Sequence, residues 1–148
     1  AQHVFTVSSG DFMSIYASNN LFKGIKKYSN SGGALLGGII ANSMNQGYSR
    51  DIVDDFAART NTQIVQYVPR SITVTQSELK GKTVIEAAPE SEQAQVYLEL
   101  ADRIAAHEES KAPSPLELDE LRRWAASWSD KLLALQEGFV VGGESSGI

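Results

Sequence analysis

Arg70 stands in a setting that could do chemistry. It follows the apolar run Ile64-Val65-Gln66-Tyr67-Val68-Pro69 and precedes Ser71 and a Thr73-x-x-Gln76 box. The run has the β-branched and aromatic content of a buried strand. Pro69 ends it for want of an N–H, and the box has the form of a helix start. In an open α/β sheet, ligands bind beyond the carboxyl ends of such strands. Arg70 would offer five fixed donors there; the competing reading is a surface arginine in an ordinary loop. Asn42-Ser43-Met44-Asn45 is a second polar group at the end of an apolar run, Leu35 to Ala41. Gln93 and Tyr97, four residues apart, project from one face of a helix.

Other groups carry less. Gly81-Lys82-Thr83 resembles the end of a phosphate-binding GxxxxGK[ST] loop, but Gln76 stands where the first glycine belongs and no strand leads into it. His3 and His107 are the only histidines, too few for a histidine metal site and badly spaced for a triad. There is no cysteine, so these residues hold neither a disulfide nor a thiolate metal site. Acidic pairs such as Glu108-Glu109 read as solvated helix faces. Trp124 and Trp128 read as a packing face rather than a ligand cage.

The elements that position these groups follow from periodicity and caps. His3 to Ser8 reads as a strand, and Ser9-Gly10-Asp11 as the cap of a helix carrying Phe12, Ile15, Phe22 and Ile25. The second strand, Leu35 to Ala41, contains Gly37-Gly38, which lets another backbone or a ligand approach closely. Ser49 caps a helix from Arg50 to Arg59, and Asn61 suits a left-handed helix end. After the third strand and its short helix to about Lys80, Pro89 opens a helix running to about Glu109, with Val96, Leu100 and Ile104 as its core face. Ser114-x-x-Glu117, with Pro115 at the first helical position, starts a last helix through Leu121, Trp124, Trp128 and Leu132. The ending, Gly142 to Ile148, reads as disordered.

The order β-α-β-α-β-α-α predicts an α/β fold, parallel strands covered by helices in three layers. A length of 148 residues suits one domain. We divide it into an α/β part over 1–111, a helical extension over 112–137 and a flexible tail over 138–148. Net charge is −5, with no basic stripe, so nucleic acid is not an expected partner. No apolar run approaches a membrane span and the start is no signal peptide; a cytoplasmic protein is expected. Three strands with no lead-in suggest the second half of a larger domain.

SSGDFMSIYASNNLFKGIKKYSNSGG, LLGGIIANSMN, YVPRS, TVIE and PLELDELRRW are collinear over residues 1–128. Together they resemble the carboxyl-terminal half of the nitrogenase iron protein family, the ATP-dependent reductases of nitrogenase and nitrogenase-like enzymes. The resemblance implies a P-loop NTPase fold and a homodimer holding one [4Fe–4S] cluster. It also implies MgATP/ADP as nucleotide, a ferredoxin or flavodoxin as electron donor and a catalytic nitrogenase-like component as acceptor. It implies an adenine contact for Asn42, a base and ribose lining for Val68, Pro69 and Arg70, and further nucleotide-pocket positions for Glu78, Gln93 and Tyr97. The family's phosphate loop, switch carboxylates and cluster cysteines would all precede Ala1. Ser71 replaces a usual aspartate, Thr75 a common glutamine, and Met44 also departs from the pattern. Two alternatives remain at this level: a partition-type P-loop ATPase, and a non-enzymatic interaction fragment using the tryptophan-bearing helix.

Overall fold

A computed structural model describes residues 2–45 and 47–138. The expected disordered ending and all of the expected flexible tail after Gly138 lie outside the described residues. Three strands, β1 (His3–Ser8), β2 (Leu35–Met44) and β3 (Ile64–Pro69), form one parallel sheet in the order β1-β2-β3. Helix α1 (Phe12–Ser29) connects β1 to β2, and α2 (Tyr48–Arg59) connects β2 to β3. Both pack on β2, and Phe22 of α1 stacks on Phe56 of α2 with ring centroids 5.6 Å apart. The α/β architecture expected from the element order, parallel strands covered by helices, is the one observed.

The core lies between this face of the sheet and α1, α2 and α6 (Leu118–Gln136). Ile15, Phe22, Ile39, Val53 and Phe56 are wholly buried there, each contributing roughly 1.5–3 kcal/mol by leaving water. A helical extension with an apolar stripe needs such a surface, and α6 brings Leu121 and Trp124 to it. The indole N–H groups of Trp124 and Trp128 both donate to Asp55 Oδ2, at 2.8 and 2.9 Å. Ahead of α6, Asn19 of α1 donates to the Leu116 carbonyl and accepts from its N–H, each at 2.8 Å. That pair replaces the ladder bonds an extended segment would otherwise lack.

On the opposite face, α5 (Glu92–Ala105) packs on β3, and the segment after it brings His107 over Gly37. A Cβ at Gly37 would lie 2.6 Å from the Phe5 ring and 2.9 Å from His107. At Gly38 it would lie 2.8 Å from the Gln63 carbonyl. The close approach at this glycine pair is therefore made by two aromatic rings and the neighbouring strand.

Several boundaries differ from expectation. Strand β2 continues to Met44 because its pairing with β3 resumes there after an irregularity at Asn42-Ser43. Helix α2 begins one residue before Ser49, whose hydroxyl instead exchanges 3.1 Å hydrogen bonds with the Asn45 backbone. Helix α3 (Ile72–Leu79) is capped by Ser71 rather than Thr73, since Ser71 is extended and its oxygen accepts from the Thr73 N–H. An unexpected single turn, α4 (Val84–Ala87), forms on a Thr83–Glu86 capping box. Pro89, expected at the first helical position, lies in a turn before α5, which Ser91 caps and which stops at Ala105. Its buried residues are Gln93 and Ala94, while Ile104 is exposed, because α5 covers only the last strand. Glu117 rather than Ser114 caps α6: residues 112–116 are drawn out by buried Pro113 and by Asn19. Asn61 does take the left-handed conformation, with φ 54°.

Candidate functional site

A cavity of about 600 Å³ opens beyond the carboxyl ends of all three strands. Parallel strands end together, so the loops after β1, β2 and β3 face one another across it. Ser9 to Asp11 form one side, Asn42 and Ser43 the base, and Pro69 to Ser71 the other side, with Gln93 and Tyr97 reaching in from α5.

Asn42 owes its position to an irregular strand end. Ala41 pairs with Tyr67 and Met44 with Pro69, leaving Asn42 and Ser43 opposite no residue of β3. Such a bulge re-aims side chains near functional sites. Ser43 has φ 54°, in the left-handed region that non-glycine residues seldom occupy. Asn42 is half-buried and lines the cavity.

The Pro69–Ser71 turn is held from two sides. The Arg70 N–H donates to the Met44 carbonyl at 3.0 Å, and Gln93 Nε2 donates to the Pro69 carbonyl at 3.1 Å. Gln93 is 4% exposed and its Nε2 also approaches the Tyr97 hydroxyl, at 3.4 Å. The two helix residues expected to share a face therefore meet at the site. Arg70 is exposed, and its guanidinium makes no ion pair among the described residues. Ser71 lines the cavity, but its oxygen is engaged in capping α3.

Val68 and Glu78 fall elsewhere. Val68 is buried within β3, and Glu78 is exposed on α3; neither lines the cavity. Conversely, Asp11, Tyr48 and Val74 line it and were not among the residues singled out. The signal for Asp11 was visible but had another use. It caps α1, accepting from the Ser14 N–H at 2.9 Å, and that cap also places it at the mouth of the site. Hydrogen bonds from the Ser9 hydroxyl and the Ser14 N–H lower its pKa below the usual aspartate range, so the carboxylate is ionised at neutral pH.

The chemistry of this lining is that of recognition. It offers an amide at Asn42, a cationic fork at Arg70, an oriented amide at Gln93 and a phenol at Tyr97. Among the described residues, no group of three or more histidines, cysteines or acidic residues could hold a metal ion. No described helix is long and apolar enough to cross a membrane.

Residues 1–129 match the family model for 4Fe-4S iron sulfur cluster binding proteins, NifH/frxC family. The chain is 63% identical over 138 residues to nitrogenase iron protein 2 of Paenibacillus durus, covering 93% of this chain and 47% of that protein. It therefore spans about half the length of that curated relative. Among solved structures, it resembles the cell division ATPase MinD of Pyrococcus furiosus with a TM-score of 0.55. That match covers 71% of this chain and 43% of MinD at 15% identity, a likeness of fold alone.

Proposed function

The chain belongs to the nitrogenase iron protein (NifH/frxC) family, and from that premise we propose that it supplies the base-binding side of an ATP site. The whole protein, in this reading, is an ATP-dependent reductase. It works as a homodimer, takes electrons from a ferredoxin or flavodoxin, and delivers them to a nitrogenase or nitrogenase-like catalytic component. The single observation that carries the site reading is the polar cavity at the strand ends, where Asn42, Arg70, Gln93 and Tyr97 converge.

The donor set fits a nucleoside better than a bare phosphate. Asn42 offers both a donor and an acceptor to a purine edge. The Pro69 carbonyl is an acceptor, so the Gln93 amide must turn its NH₂ toward it. The remaining Gln93 oxygen is then an acceptor, complementary to an exocyclic amino group such as that of adenine and mismatched to a carbonyl in the same place. Arg70, unpaired among the described residues, is left for ribose or phosphate oxygens. Val68 supports this side from beneath as part of the β3 core, and Glu78 lies exposed on α3, outside the cavity lining.

The phosphate side fits less. No glycine-rich strand-to-helix loop is present in these residues, and phosphate-binding groups must come from elsewhere in the protein. An iron–sulfur cluster does not fit this chain at all: it has no cysteine to ligate iron. The cluster of the complete protein would be held by residues outside these 148.

The test compares ATP with inorganic triphosphate, which has no base. In the full-length protein, Asn42→Ala should weaken ATP and ADP binding by roughly 0.5–1.5 kcal/mol per lost hydrogen bond and leave triphosphate binding unchanged. Calorimetry that found both ligands weakened equally, or neither, would reject the adenine assignment.

A further inference from the structure

We infer that α6 buttresses the ligand cavity, so that its docking and ligand binding are thermodynamically linked, with Trp128 as the positioning residue. The identity of the ligand rests on the nucleotide reading above; the linkage rests on separate geometry.

Behind one wall of the cavity lies a second hollow of about 320 Å³, apolar in character. Phe12 and Ile15 of α1 form one side of it, and Trp128 and Leu132 of α6 another. Gly10, Asp11 and Tyr48 line both hollows. The wall between them is therefore a single layer, made by the loop before α1 and the start of α2.

Within the layer the packing is tight. A Cβ at Gly10 would lie 2.9 Å from both the Cβ and the carbonyl oxygen of Ser49, so the loop before α1 and the first turn of α2 already touch. Ser49 is in turn closed onto Asn45 by its pair of hydrogen bonds, and Asp11 is tied to Ser9 and Ser14. Close-packed layers of this kind transmit a displacement rather than absorb it.

Helix α6 is fastened to the same unit. Its two indole N–H groups share the carboxylate of Asp55, which sits on α2, the helix whose first residue is Tyr48. Trp128 thus faces the wall across the apolar hollow and holds α2 through its N–H. A ligand that orders the wall favours the docked α6, and a docked α6 favours the ligand, by the same factor.

The experiment uses the full-length protein. Trp128→Ala should weaken ATP and ADP binding by about fivefold or more, and Trp128→Phe, which keeps an aromatic ring in the hollow beside the wall, should restore most of it. Gly37→Ala strains the opposite face of the sheet, away from α6 and the cavity, and serves to measure plain loss of stability; it should leave affinity within about twofold. In the wild type, saturating ATP should slow hydrogen exchange of the α6 amides, and that protection should shrink in Trp128→Ala by the factor lost in affinity. Should Trp128→Ala fail to fold, Leu132→Ala carries the same comparison. The linkage is overturned if Asn42→Ala weakens ATP binding while Trp128→Ala and Leu132→Ala do not. It is also overturned if Gly37→Ala weakens binding as much as Trp128→Ala does. If Asn42→Ala has no effect on ATP, the nucleotide reading itself fails, a separate result.

Discussion

Replacing Asn19 by alanine removes both hydrogen bonds that tie the segment before α6 to α1. Asn19 is 1% exposed, and its amide satisfies the N–H and the carbonyl of Leu116 at 2.8 Å each. Leu116 is itself buried, at 9%, so water does not readily replace the lost partner. A buried backbone group left unpaired costs about 1–3 kcal/mol. Two such groups bring the expected loss to about 2–6 kcal/mol, a large share of the roughly 5–15 kcal/mol that holds a domain together. Asn19→Asp is a sharper probe. It keeps an acceptor for the Leu116 N–H but turns an oxygen toward the Leu116 carbonyl and buries a charge, so it should cost at least as much as alanine. The assay is urea unfolding followed by tryptophan emission, because Trp124 and Trp128 sit on the helix this segment leads into. Both variants should lower the midpoint and red-shift the starting emission as α6 loosens. A loss under about 1 kcal/mol for Asn19→Ala, or an Asn19→Asp protein as stable as wild type, would refute the idea that these two bonds anchor α6.

Gly37→Ala should lower the melting temperature, by about 1–3 kcal/mol of stability, since its Cβ would press on Phe5 and His107; pairing it with Phe5→Leu should recover part of the loss. Asp55 gives a pH signature. Burial opposes its ionisation, but the indole N–H groups of Trp128 and Trp124, and then Arg59, outweigh that and hold its pKa below the ordinary 3.8. A carboxylate with a depressed folded pKa stabilises above its unfolded value and loses that contribution as pH falls through the folded one. Wild type should therefore lose α6 docking, read by hydrophobic-dye binding, below about pH 4, and Asp55→Asn should flatten that part of the profile. Thr83→Ala removes the cap of α4 and should cost about 0.5–2 kcal/mol, measured by chemical denaturation, with ATP binding unchanged.

Sequence alone determined the elements wherever a local cause acts. The runs at His3–Ser8 and Ile64–Pro69 are strands because their β-branched and aromatic side chains fit a pleated, half-buried surface. Asp11 caps α1 because its carboxylate reaches an N–H three residues on. Asn61 turns left-handed at a helix end because its short polar side chain tolerates that region. Arg70 and Asn42 could be placed at strand ends for the same reason, and the four-residue spacing of Gln93 and Tyr97 is a property of any helix.

Tertiary structure decided what distant segments do to one another. The last helix begins at Leu118, not after Ser114, because Asn19, nearly a hundred residues earlier, takes the backbone of Leu116. Ser71, not Thr73, caps α3 because β3 ends its pairing with β2 at Pro69 and the helix begins directly after. The bulge that turns Asn42 into the cavity exists only as a mismatch between β2 and β3. Val68 and Glu78 show the same limit from the other side. Both are neighbours of site residues in the chain, yet one points into the core and the other to solvent, because strand alternation and helix phase, not proximity in sequence, assign a side chain to a face.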